Sequence, residues 1–228
     1  MNDGEVDGYE SLKVSRAELL VCAHKLPTQV REDFGLIKTS MTSMHIACMD
    51  VVSALAAKLG AASNESIRAS HTDEVPSTTT LSMFRYPGST DHTEAHGHNQ
   101  HTDLGSLTML FSTDWGLQIR TPGSRDWAYV VPNPKRVIIN VGDSLRFLSG
   151  NRLLSCVHRV LPLSDMRSED RYSIAYFLRA SNGTIFKDSK GRVCSAKQWH
   201  DEKFDHFRVT HAQQARDTML LGGMEQFA

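Results

Sequence analysis

Residues 101–111 read HTDLGSLTMLF, residues 155–163 read SCVHRVLPL, and residues 171–179 read RYSIAYFLR. Each is a short apolar run with polar groups at or near its start, the pattern of a strand whose end carries chemistry. His101 and Asp103 are separated by one residue, and on an extended chain positions i and i+2 point to the same side. His158 follows after a gap of roughly 55 residues and therefore arrives from a different strand. Two imidazoles and one carboxylate can occupy one face of an octahedral Fe(II) and leave three positions open for small ligands. Arg171 and Ser173, also separated by one residue, add a guanidinium fork suited to an acidic cosubstrate.

Outward from these segments, period-2 alternation predicts strands over 79–86, 106–111, 117–121, 128–131, 136–141, 145–148, 156–161 and 172–179. Pro-Gly, Asp-Trp-Gly, Pro-Asn-Pro, Gly-Asp and Gly-Asn turns separate most of them. Many short strands with frequent turns imply a sandwich or barrel, for which a double-sheet jelly roll is an economical solution. Ahead of them the pattern is helical. Stretches 14–24 and 30–59 carry apolar residues three and four apart, broken near Pro27 and closed by Gly60. The Met-rich stripe of the second stretch reads as a core-facing helix surface. The expected organisation is therefore a single domain, mainly β with flanking α. N-terminal helices over 1–60 pack on the core, 61–78 is a loop, 79–180 is a jelly-roll core, and 181–228 is a C-terminal extension with a polar helix.

Composition narrows the partners. With 25 basic and 26 acidic side chains the net charge is −1, which gives no general attraction for nucleic acid or an anionic membrane. No run approaches the ~18 consecutive apolar residues of a membrane span. Residues 1–10, MNDGEVDGYE, lack the apolar stretch of a secretory signal. Cys22, Cys48, Cys156 and Cys194 are scattered without a C-x-x-C pair, consistent with free thiols in a reducing compartment. A cytoplasmic protein is expected.

From Lys25 onward the chain resembles the isopenicillin N synthase-like family of Fe(II)/2-oxoglutarate dioxygenases. The resemblance is carried by FRYPG (84–88), HTDLGSLTML (101–110), LQIR (117–120), INVGD (139–143), HRV (158–160) and RYSIAYFL (171–178), in family order. It implies a double-stranded β-helix of the jelly-roll, cupin-like kind, with iron held in its mouth by His101, Asp103 and His158. It further implies that Arg171 and Ser173 bind the distal carboxylate of 2-oxoglutarate, with Tyr86 as another contact, and that O2 is the co-reactant. Phe84 stands where many plant members have asparagine. Phe177 matches a position that often faces substrate, and Phe84 and His98 are further candidates to line that space. The implied activity is hydroxylation, desaturation or rearrangement of a small organic molecule, in the style of secondary metabolism. Asp103 in place of a small residue argues against a halide site. Two other readings stand beside it: an iron-dependent oxidase that does not use 2-oxoglutarate, and a non-catalytic jelly-roll binding subunit.

Relatives carry a longer region ahead of Lys25, with strands that extend one sheet. A short chain of this kind is expected to expose an edge or apolar face, covered in a homodimer or by a partner. The segment DHTEAHGHNQHTD places His92, His96 and His98 close to His101, mainly as a solvated loop whose His96 or His98 can reach the mouth. Trp115, Trp127 and Trp199 read as packing anchors. Asp114 and Asp143 read as turn residues, and Lys197, Lys203, Arg208 and Arg216 as cations on a solvated helix face.

Overall fold

The structure is a computed structural model that describes residues 9–88, 97–121, 123, 126–161, 163 and 169–224. The chain begins with strand β1 (Glu10–Ser15), followed by α1 (Arg16–Val21), α2 (Thr28–Glu32), α3 (Phe34–Leu59) and α4 (Ala61–Ala69). Strands β2 (Thr80–Tyr86), β3 (His98–His101), β4 (Leu107–Phe111), β5 (Leu117–Arg120), β6 (Trp127–Tyr129) and β7 (Ile138–Val141) come next. Helix α5 (Asp143–Leu148) precedes β8 (His158–Val160) and β9 (Arg171–Leu178). A hairpin of β10 (Ile185–Lys187) and β11 (Val193–Ser195) follows, then α6 (Ala196–His206) and α7 (His211–Gln214).

Two antiparallel sheets face each other: a five-stranded sheet in the order β1-β2-β9-β4-β7 and a four-stranded sheet in the order β3-β8-β5-β6. Apart from β1, each contributes four strands to the eight of a jelly roll. Alternation decides which residues face inward. On β2, β9 and β4 the outer positions Leu81, Leu107, Met109, Tyr176 and Leu178 join one hydrophobic core with Met41, Met44, Cys48 and Val52 of α3. Helix α3 is long and apolar enough, by length and composition, to cross a membrane. Here its buried stripe Met41, Met44, Cys48, Val52, Ala56 packs on the outside of the larger sheet. A second cluster centres on the fully buried Trp199, with Phe147 crossing it edge to face at 5.0 Å.

Five local expectations are corrected. Residues 14 and 15 belong to β1 rather than to a helix, because Val14 pairs with Leu81 and Ser15 caps α1 through the Glu18 amide. Within the expected loop 61–78, residues 61–69 form α4. Among its described side chains the one fully buried apolar residue is Ile67, too little periodicity to read from sequence. Residues 145–148 are helical in α5, not a strand. Leu145, Arg146 and Phe147 alternate as a strand would, but all three are buried, so the alternation does not mark an outer face. Lys203 is not on a solvated face. Its Nζ is buried and donates to Asp143 Oδ2 at 2.6 Å, Thr102 Oγ1 at 2.6 Å and the Thr102 carbonyl at 2.8 Å. Asp143 is thus a buried ion partner rather than a turn residue. It also accepts from Ser155 and Thr102, and Arg146 lies 3.6 Å away. Removing Lys203 takes away the closest cation of a carboxylate sealed from solvent and leaves Asp143 with two hydroxyl donors and the more distant Arg146. Lys203→Met is therefore expected to lower the free energy of unfolding by about 3–5 kcal/mol in urea titration. A loss under about 1 kcal/mol would mean that the pair is as weak as a surface one.

Candidate metal centre

His101 is the last residue of β3, and its cross-strand partner is His158, the first residue of β8. Pairing brings the two rings to 4.3 Å between centroids, so the long sequence gap closes across one rung of the smaller sheet. Asp103 lies two residues beyond His101, and its Oδ1 stands 3.9 Å from His101 Nε2 and 3.8 Å from His158 Nε2. One ligand atom from each residue lies within 4.8 Å of the others.

Hydrogen bonds around the three groups fix which atoms face inward. His101 Nδ1 is 2.7 Å from the Asn99 carbonyl and His158 Nδ1 is 3.0 Å from the Cys156 carbonyl. A carbonyl can only accept, so each ring carries its proton on Nδ1 and keeps the Nε2 lone pair for a metal. Asp103 Oδ2 accepts from Thr108 Oγ1 at 2.6 Å and Asn140 Nδ2 at 2.8 Å, which leaves Oδ1 for the same point. Burial, followed by the neighbouring His158, brings the pKa of His101 down to about 3. Burial alone raises the Asp103 carboxyl, but His158, His101 and the hydrogen bonds from Asn140 and Thr108 outweigh it and bring it down to about 2. A neutral imidazole and an ionised carboxylate are the protonation states a metal requires. The donor set, its tautomers and its second layer therefore fit a divalent iron.

Beside the triad, Arg171, Ser173 and Tyr86 converge in a narrow compartment that also holds Phe84, Thr108, Leu110, Asn140 and Phe177. Arg171 donates Nε to the Trp115 carbonyl at 2.9 Å and Nη2 to Ser112 Oγ at 3.1 Å, while its buried Nη1 has no hydrogen-bond partner. The guanidinium lies over the Tyr86 ring at 5.0 Å, and burial raises the Tyr86 phenol so that it stays protonated. An inward-facing orphan donor flanked by two hydroxyls suits one end of a dicarboxylate. A larger cavity of about 760 Å³ opens on the triad and is lined by Phe84, His98, Phe177, Arg179, Phe204 and Phe207 among others.

The nine candidate site residues His101, Asp103, His158, Arg171, Ser173, Tyr86, Phe177, Phe84 and His98 thus lie at one centre. His98 hydrogen-bonds the Tyr86 phenol through Nδ1 at 3.1 Å and stacks on Tyr9 at 4.0 Å. His92 and His96 fall outside the described residues. Sequence reasoning missed Thr108, Asn140 and Phe207. The first two hold Asp103, and Phe207 meets His101 edge to face at 5.4 Å. Thr108 and Asn140 were detectable as inward polar positions on otherwise apolar strands, whereas Phe207 comes from a remote helix end.

Five imidazoles, those of His45, His71, His98, His101 and His200, are held below their ordinary pKa first by burial. The unfolded chain then binds more protons than the native one below the usual imidazole value. Their contribution is complete above about pH 6.5 and is lost progressively as pH falls toward the folded values. The urea midpoint of the metal-free protein is expected to be level between about pH 7 and 8 and to drop steadily by about pH 5. A flat profile over that whole range would contradict the neutral assignment.

Similarity to known proteins agrees with this geometry. The family model described as the 2OG-Fe(II) oxygenase superfamily matches residues 70–180. The chain is 48% identical to the oxidoreductase vrtI of Penicillium aethiopicum, over 96% of this chain and 54% of that protein. It is 44% identical to the 2-oxoglutarate-dependent dioxygenase iboH of Amanita muscaria, over 88% of this chain and 98% of that protein. The fold matches a full-length Neurospora crassa protein, solved in complex with alpha-KG, with a TM-score of 0.70 at 22% identity, covering 87% of this chain and 66% of that one. The chain belongs to the 2OG-Fe(II) oxygenase superfamily, and its jelly roll is the fold of that class. It spans about half the length of the Penicillium relative and nearly all of the Amanita one.

Proposed function

We propose that the protein is an Fe(II)- and 2-oxoglutarate-dependent oxygenase that oxidises a small organic molecule in secondary metabolism. The observation that carries this reading is the joining of two features at one centre: the inward-facing His101–Asp103–His158 donor set and the orphan Nη1 of Arg171. His101, Asp103 and His158 hold the iron through two Nε2 atoms and Oδ1. Arg171 supplies the charged Nη1 donor for the distal carboxylate of 2-oxoglutarate, and Ser173 and Tyr86 supply hydroxyl donors beside it. Bound iron and 2-oxoglutarate together supply the activation of O2, coupled to conversion of the 2-oxo acid to succinate and CO2.

The chain's own residues orient and exclude. Thr108 and Asn140 keep Asp103 from rotating, and the Asn99 and Cys156 carbonyls keep both rings in one tautomer. Phe84, Phe177, Phe204 and Phe207 provide apolar walls that favour an organic substrate over bulk water. His98, held uncharged first by burial and then by the nearby His101 and His158, lines the cavity beside Tyr86 without adding a positive charge. The test is O2-dependent succinate formation from 2-oxoglutarate by the Fe(II)-loaded protein. Succinate in step with O2 consumption is the expected result; O2 consumption without succinate would transfer the chain to the oxidase class.

A further inference from the structure

Strand β9 carries an arginine at its start, and a second arginine directly follows its end. Arg171, Ser173, Ala175 and Phe177 alternate along the inward face, and Arg179 continues that parity one step past the strand. Arg171 ends in the narrow compartment, whereas Arg179 lines the large cavity, and the two spaces share His98, His101, Asp103, Phe84 and Phe177. Arg179 is tethered on one side only. Its Nη1 donates to the Thr78 carbonyl and, at 3.0 Å, to Thr80 Oγ1. Nε, sealed from solvent, has no partner, and no acceptor bonds Nη2 among the described residues. Nε and Nη2 form the edge that receives a carboxylate side-on.

No carboxylate of the described residues lies within ion-pair distance of this partly buried guanidinium, which stands over the Phe177 ring at 5.4 Å, although a charge withdrawn from water is normally paired. Burial pulls its pKa down to about 10, so it remains a cation at neutral pH. Lys13 and Arg208 line the same cavity, against Glu18 and the metal ligand Asp103. The chain also makes room for the side chain. A Cβ on Gly105 would sit 2.9 Å from Arg179 Cγ and 2.8 Å from the Leu178 carbonyl oxygen. We propose that Arg179 anchors a carboxylate of the substrate, so that the protein acts on a free carboxylic acid whose acid group lies at Arg179 and whose reacting carbon lies at the triad. This rests on the oxygenase reading and assigns its substrate class.

The test uses the full chain loaded with Fe(II) and 2-oxoglutarate under anaerobic conditions, where the visible band of the cosubstrate complex reports a loaded site. A panel of small carboxylic acids, each paired with its primary amide, is titrated and binding is read from the perturbation of that band. At least one acid is expected to bind, with its amide weaker by about tenfold or more. Arg179→Gln should raise the dissociation constant of that acid by about tenfold to a hundredfold, and Arg179→Lys should recover part of the loss by restoring the charge. Equal binding of acid and amide, an unchanged constant in Arg179→Gln, or a panel in which no acid binds would each overturn the assignment and leave Arg179 as a tether for Thr78 and Thr80. A wild-type band with any of those results defeats the substrate class alone. A folded, iron-loaded wild type without the band defeats the oxygenase reading and this inference together.

Discussion

Replacing Asp103 with alanine is expected to abolish stoichiometric retention of Fe(II). Asp103 supplies the only anionic ligand atom of the triad, and its Oδ1 stands almost equally far from both Nε2 atoms, at 3.9 and 3.8 Å. Without it two imidazoles, which carry no negative charge, face a divalent ion with no charge compensation. Asn140→Ala provides the graded comparison. It removes one of two donors to Oδ2 and leaves the ligand in place, so iron affinity should fall by about 10–100-fold. Asp103→Ala should fall further than that, and His158→Ala should match it. Iron measured by metal analysis after desalting decides the matter. One equivalent retained in both Asp103→Ala and His158→Ala would refute the triad.

The second large effect belongs to Arg171. Its Nε and Nη2 are committed to Trp115 and Ser112, which fixes the plane of the guanidinium and presents the buried Nη1 to the compartment. Arg171→Leu removes a charged donor from a buried carboxylate, a change of about 1.5–3 kcal/mol per bond. The concentration of 2-oxoglutarate needed for half-maximal succinate formation should therefore rise by about one to two orders of magnitude. Iron retention measured on the same protein separates this loss from damage to the metal centre. An unchanged requirement would remove Arg171 from the cosubstrate site.

The centre was legible because its groups obey the local geometry of strands. His101 and Asp103, like Arg171 and Ser173, sit at i and i+2, and that spacing alone puts each pair on one side of an extended chain. His158 was legible as a ligand but not as the direct rung partner of His101, since register is set by tertiary pairing rather than by local pattern. Lys203 and Asp143 escaped for a related reason. Each looks ordinary beside its own neighbours, a cation on a polar helix and an acid after a glycine, and only packing seals both away from solvent. Helix α5 differs from the expected strand because Leu145, Arg146 and Phe147 alternate apolar and polar in sequence, whereas packing buries all three. Strand β1 was hidden by its continuation into α1, with Val14 serving the strand while fitting a helical spacing. Arg179 follows the parity of β9 in sequence, yet its missing acceptors become visible only once the surrounding residues are in place.

One centre is assigned both the binding of iron and the chelation of 2-oxoglutarate. The measurement that tests this most directly is anaerobic titration of the metal-free protein with Fe(II) and then 2-oxoglutarate, followed by the weak visible metal-to-ligand charge-transfer band. The band is expected to grow to saturation at one equivalent of iron in the wild type and to be absent in Asp103→Ala. Folded, iron-loaded wild type that shows no band at saturating 2-oxoglutarate would contradict the assignment.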